Sequence, residues 1–316
     1  MNPHSALAPA GPQAQHIANL WWGMLWTTSA IFVIVIAALW WAVRRSRARQ
    51  TETVDAVTQE STLVRVVSAA VAGSIVILFA LLISSVWTGR ALASLRAPSA
   101  VTISVFAHQW WWEVEYDDAL PSRRVKTANE IHVPTGRPIA IKVASRDVIH
   151  SFWVPNLHGK RDLVPGIGSA IWLQIDAPGV YRGQCAEFCG RQHANMAIDV
   201  VAEPQADFDR WLEGQRALAA PPQTMEQQAG HDIFMSRQCV ACHTILGTNA
   251  HGTVGPDLTH LATRRRIAAG TLPNERDHLA TWILNAQAVK PGSEMPPNVM
   301  PQSDVQSLIA YLETLR

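Results

Sequence analysis

Two stretches of the chain are apolar on every side. From Leu20 to Val43, and again from Val66 to Trp87, no residue carries a formal charge and no polar face recurs at helical spacing. At ~1.5 Å per residue, each run is long enough to cross a ~30 Å hydrocarbon core. The pattern predicts a two-helix transmembrane hairpin within residues 1–98, with spans at about 20–43 and 66–87. Trp21, Trp22, Trp26, Trp40, Trp41 and Trp87 lie at or near the ends of the runs, where an interfacial aromatic belt belongs. The connection carries Arg44, Arg45, Arg47, Arg49 and Arg65, whereas residues 1–19 contain no Lys or Arg. The positive-inside bias therefore places the connection in the cytoplasm and both termini outside. A signal peptide has its charges before the apolar run, the reverse of this order.

Beyond the second run the period changes. Residues 101–105 (VTISV), 139–143 (IAIKV) and 171–175 (IWLQI) alternate apolar and polar, with Pro and Gly clusters between them. This predicts an all-β sandwich or barrel over residues 99–203. Residues 204–223 read as a linker that includes a short helix and the pair Pro221-Pro222. In the last segment Val305, Leu308, Ile309 and Leu312 fall at helical spacing, so residues 224–316 are expected to form an all-α domain.

Composition sharpens the picture in two ways. Apolar residues make up 48% of the chain against 16% charged, richer than most soluble proteins. The net charge of +1 without a basic block gives no support for nucleic-acid binding. Four cysteines fall in two close pairs, each beside a histidine.

The first pair lies in RGQCAEFCGRQHANMAI, which gathers Cys185, Cys189, His193 and Met196, with His150 upstream. Two thiolates, two imidazoles and a thioether form a copper ligand set; a structural zinc site would need no methionine. Cysteines four apart can bridge a pair of metals and spread the bond-length change of one electron over both. The second pair lies in CVACH at 239–243, the haem c attachment signature: Cys239 and Cys242 add to the vinyl groups and His243 becomes the proximal ligand.

Three segments, HQWWWEVEY (108–116), DVIHSFWVPNLHGKRDLVPG (147–166) and GQCAEFCGRQHANM (183–196), resemble subunit II of the haem-copper cytochrome c oxidases. The resemblance covers nearly the whole chain. It implies a cupredoxin barrel in which Cys185 and Cys189 bridge the two coppers of a CuA centre. By the same resemblance His150 and His193 bind one copper each, Met196 binds one weakly, and Glu187 contributes its backbone carbonyl. The Glu187 side chain is expected to reach a magnesium shared with subunit I. Trp110 corresponds to the surface aromatic through which electrons arrive. Glu60 corresponds to an acidic residue at the mouth of a proton channel, although the following span lacks the family's usual Leu-Pro. KPGSEMPPNVM (290–300) resembles the distal loop of class I cytochromes c, which implies Met295 rather than Met300 as the sixth haem ligand; His251 and His260 read as a loop residue and a helix histidine.

The resemblance implies an electron-input subunit of a proton-translocating oxidase in the bacterial cytoplasmic membrane. Its partners are subunit I, where oxygen is reduced, subunit III, and cytochrome c or another periplasmic donor. A quinol oxidase subunit lacks the copper ligands that are present here. A copper-delivery protein needs neither His193 with Met196 nor a haem domain, and a nitrous oxide reductase does not begin with two spans.

Overall fold

The structure is a computed structural model that describes residues 4–48, 56–94 and 101–316. Arg49 and the boundary expected at residues 98 and 99 lie outside them. One compact unit, residues 15–94, consists of two helices, α1 (Pro12–Ala48) and α2 (Ala56–Ser94), the former starting just before it. Both are long and apolar enough to cross a membrane. Their large side chains are exposed around the whole circumference, including Trp26, Phe32, Val76 and Trp87. Such a surface is stable in lipid and costly in water.

The other unit, residues 1–14 and 95–316, holds the outer domains. Ten strands follow the hairpin: β1 (Val101–His108), β2 (Trp111–Tyr116), β3 (Val125–Ala128), β4 (Glu130–Pro134) and β5 (Pro138–Ser145). Then come β6 (His150–Trp153), β7 (Arg161–Leu163), β8 (Ser169–Gln174), β9 (Gly179–Cys185) and β10 (Ala197–Glu203). They form two five-stranded sheets, ordered β3-β2-β1-β5-β8 and β4-β10-β9-β6-β7. The predicted alternation holds in β1, where Ile103, Val105 and Ala107 are fully buried, and Ile139, Ile141, Ile171 and Leu173 continue the same core.

Successive strand residues face opposite ways, which sorts the tryptophan run. Trp112 is fully buried against Phe152, while Trp111 turns outward and stacks on His108 with ring centroids 4.4 Å apart. The N-terminal segment is tied to the barrel: Ala10 N–H donates to Asn156 O and Ala10 O accepts from Asp176 N–H. A Cβ at Gly11 would stand 1.9 Å from Gln174 O, so only glycine allows this approach.

The stretch read as a linker opens with a helix, α3 (Gln205–Gly214), that belongs to the barrel's packing. Phe208 is buried in the barrel core, and Trp211 stacks flat on His132 with centroids 4.1 Å apart. The C-terminal region contains α4 (Met225–Ser236), α5 (Cys239–Cys242), α6 (Arg276–Leu284), α7 (Ala286–Val289) and α8 (Gln302–Leu312). Thr224 and Gln227 cap α4 reciprocally. Val305, Leu308, Ile309 and Leu312 are buried as their spacing predicts, and α4 meets α8 at Gly230, where a Cβ would clash with Ser307 O. Two short hairpins interrupt the helices: β11 (Thr244–Ile245) with β12 (Ala250–His251), and β13 (Arg266–Ile267) with β14 (Leu272–Pro273).

Candidate metal and haem centres

The end of β9, the loop after it and the start of β6 bring the predicted copper residues together. Cys185 Sγ and Cys189 Sγ lie 3.7 Å apart, too far for a disulfide. His150 Nδ1 is 3.8 Å from Cys185 Sγ and His193 Nδ1 is 3.7 Å from Cys189 Sγ. Met196 Sδ lies 3.9 Å from Cys189 Sγ, and Glu187 O lies 3.2 Å from Cys185 Sγ. His150 and Met196 are fully buried and both cysteines nearly so. Each imidazole presents the same ring nitrogen to a sulfur, and the sulfurs sit between the imidazoles; this donor set fits a two-metal, thiolate-bridged centre.

Electrostatics around the sulfurs favour a thiolate. The Cys185 thiol is held well below its usual range, first by the hydrogen bond from the Cys189 thiol and then by His150 and backbone donors, against the effect of burial. The Cys189 thiol is pushed up because its proton is shared with Cys185. Burial pulls the His150 pKa down, but its hydrogen bonds to Cys185 and Asp147 outweigh that and leave it raised.

Asp147 was not singled out in the sequence, although it opens the DVIH segment. Its Oδ1 lies 2.7 Å from His150 Nε2 and its Oδ2 accepts from Gln109 N–H at 2.6 Å. With the Nε2 proton directed at this carboxylate, Nδ1 is left to face the sulfurs. Next to Gln109, Trp110 donates from Nε1 to Cys189 O at 2.9 Å, and Gln109 Nε2 donates to the same oxygen at 2.7 Å. The Glu187 carboxylate lies 3.5 Å from Lys160 Nζ. Glu60 lies exposed on α2, and no described contact ties it to a metal-ligating side chain.

Cys239 and Cys242 begin and end α5, and both thiols are free. His243 follows at the helix end, with its Nδ1 2.7 Å from Pro256 O. Nδ1 therefore donates to that carbonyl and Nε2 remains for a metal. Burial lowers the His243 pKa, which keeps the ring neutral. Gly255 passes so close to the ring that a Cβ would stand 2.6 Å from His243 Cε1. Cys239, Cys242, His243 and Met295 share the wall of a cavity of about 290 Å³. Thiols to attach the haem, a neutral imidazole and a thioether on one apolar wall fit a covalent haem with two axial ligands. His260 lies elsewhere, with Nε2 3.2 Å from Ala217 O, and His251 is exposed in β12.

The barrel closes part of this cavity. Gln109, Trp110 and Trp111 stand on its wall with Lys290 of the helical domain. Lys290 is buried, and its Nζ donates to Trp110 O at 2.8 Å and to Ala268 O at 3.3 Å. A Cβ at Gly190 of the copper loop would stand 3.1 Å from the Trp110 ring, and one at Gly292 of the helical domain 3.6 Å from it. Trp110 thus touches both metal domains.

Both outer domains match known families. Residues 120–203 match the family described as cytochrome c oxidase subunit II, periplasmic domain, and residues 227–316 match the cytochrome c family. Cytochrome c oxidase subunit 2 of Alkalihalophilus pseudofirmus is 32% identical, covering 99% of this chain and 91% of the relative. The subunit 2 of Bacillus sp. PS3 is 30% identical over 77% of this chain and 72% of its own length. The crystal structure of the periplasmic domain of subunit II (CoxB) of Bradyrhizobium japonicum is 29% identical, covering 38% of this chain and 97% of that one, with a TM-score of 0.36. The chain belongs to the cytochrome c oxidase subunit II family and carries a cytochrome c domain at its C-terminal end.

Proposed function

We propose that this chain is the electron-input subunit of a terminal oxidase. Electrons from a periplasmic donor pass through a haem c held by residues 224–316, then a CuA centre held by the barrel, to subunit I, where oxygen is reduced to water with proton translocation. The observation that carries this reading is the convergence of Cys185, Cys189, His150, His193 and Met196 around one pair of sulfurs. The two metal groups supply one-electron chemistry; everything else is the work of side chains.

Cys185, Cys189, His150, His193, Met196 and the carbonyl of Glu187 are the groups that would hold the copper, which would supply one-electron chemistry. Asp147 fixes the His150 ring. Cys239 and Cys242 would attach the haem covalently, and His243 and Met295 would hold its iron. A thioether opposite imidazole closes the iron to oxygen and raises its potential, which suits electron transfer. The Glu187 carboxylate, partly exposed on the copper loop, is the group offered to a magnesium shared with subunit I. The two spans lie in the bacterial cytoplasmic membrane with both metal domains on the periplasmic side, where haem c and CuA are assembled. Subunit I, subunit III and the donor are the partners, and Glu60 serves the mouth of a proton channel.

Metal and haem analysis of the purified complex tests this reading. Two coppers per covalent haem, with the near-infrared absorption of a mixed-valence copper pair, are expected; zinc or no transition metal at the cysteines rejects it. Trp110 bridges the two sites through its indole contact to Cys189 O and its place on the haem cavity wall. Trp110→Leu is expected to slow haem-to-copper electron transfer markedly with both spectra intact, as read by flash-induced reduction. Unchanged kinetics remove Trp110 from the path.

A further inference from the structure

Met196 lies at the last position before β10, and the two polar groups of the peptide that joins it to Ala197 are held by different domains. Its own carbonyl accepts from Cys185 N–H at 3.0 Å, within the barrel. The next N–H, that of Ala197, lies before the first bond that β10 makes toward β4, which runs from Asp199 N–H to Asn129 O. The cytochrome domain supplies its acceptor: Ala197 N–H donates to Ala269 O at 3.0 Å.

The turn that brings this oxygen is unusual. Ala268, Ala269 and Gly270, at the tip of the β13–β14 hairpin, have φ of 53°, 54° and 75°. Two consecutive alanines in the left-handed region are held there against their intrinsic preference, so the surroundings must fix them. Within the turn, Thr271 Oγ1 donates to Ala268 O at 2.7 Å; from outside it, Lys290 Nζ donates to Ala268 O, Ala197 N–H to Ala269 O, and Arg182 Nη2 to Gly270 O at 3.3 Å. Thr271 Oγ1, whose single proton goes to Ala268 O, also lies 3.5 Å from Asn195 O, against which the turn packs. The residues on both sides of Met196 are therefore in contact with the cytochrome domain. Beside the turn, Glu130 Oε2 accepts from Arg265 N–H at 3.1 Å and Asp199 lies 3.4 Å from Arg266, so the hairpin is held along its length.

We propose that the turn Ala268–Thr271 is a positioning element of the copper centre. By holding Asn195 to Ala197 it sets how closely the Met196 thioether approaches the metals, so the docked cytochrome domain tunes the centre that it feeds. This rests on the reading that Met196 is a copper ligand. The weak axial thioether is the ligand through which a thiolate–imidazole copper site is tuned most readily, because its bond is long and easily altered.

Gly270 offers the test. A Cβ there would stand 3.0 Å from Ala197 Cβ and 3.2 Å from Arg182 Nη1. Gly270→Ala forces the turn or the Ala197 segment to give by a few tenths of an ångström, and the two further methyl groups of Gly270→Val force more. In the full-length, metal-loaded chain, the copper hyperfine pattern, near-infrared band and midpoint potential are expected to shift in both variants. The shift should be larger for valine, with the haem absorption of wild type retained. If valine prevents haem attachment, the alanine variant carries the comparison. Copper signatures and potentials that coincide with wild type in the haem-bearing variants overturn the proposal. A wild-type chain without a two-copper signature rejects the underlying metal reading instead.

Discussion

Replacing Cys189 with serine is expected to abolish the two-copper centre while leaving the haem domain attached and reducible, so that haem c stays reduced in air. Cys189 is the hub of the site: the Cys185 and Met196 sulfurs and the His193 ring all lie within 3.7–3.9 Å of its Sγ. Serine has nearly the same shape, but its hydroxyl is a far poorer bridge between soft metals than a thiolate. The barrel should survive, because leaving one buried hydroxyl imperfectly paired costs roughly 1–3 kcal/mol, less than the stability of a typical domain. Rapid mixing with a reductant separates the two sites, since reduction of the haem proceeds and its reoxidation through the barrel does not. Retention of the near-infrared copper band, or aerobic reoxidation of haem c at the wild-type rate, would show that Cys189 is not a bridging ligand.

Much of this site was legible because its chemistry is local. The loop 185–196 packs four donor side chains into one short segment, and CVACH sets two thiols and an imidazole side by side by spacing alone. The strands of the facing sheet were partly legible too, since buried positions alternate in β1 and β8. What the sequence concealed is long-range. Asp147 is one acid among many until the fold sets it against His150. Nothing in Ala268 and Ala269 announces a left-handed turn, because alanine is ordinarily a helix former and the conformation is imposed by donors from three other segments. The short helix expected in the linker is α3, but its packing was concealed: Phe208 and Trp211 share one helical face and close over the barrel. Lys290 served in the sequence only to mark the register of Met295, yet its amine ends at Trp110 O.

That buried amine gives the docked domains a pH dependence with a definite sign. Burial pushes the Lys290 pKa from 10.5 down to about 7, partly opposed by Cys189. An undocked, solvated Lys290 keeps its proton up to its ordinary range, whereas the docked one releases it above about pH 7. Docking therefore releases a proton between about pH 7 and 10.5 and becomes more favourable as pH rises through that window; below it the group contributes a constant penalty. The slope is at most about 1.4 kcal/mol per pH unit, or tenfold in the ratio of docked to undocked chains. A neutral amine still donates to Trp110 O and Ala268 O, so the contact itself survives deprotonation. The amide of Ala197 reports the opening, because its acceptor belongs to the other domain. Its hydrogen-exchange protection factor, corrected for the intrinsic pH dependence of exchange, is expected to climb by up to roughly tenfold per unit from about pH 7 to about pH 9. In Lys290→Met the slope should vanish, since no titrating group then enters the interface at that point. A flat profile in the wild-type chain, or an undiminished slope in the methionine variant, would mean that Lys290 does not couple protonation to docking.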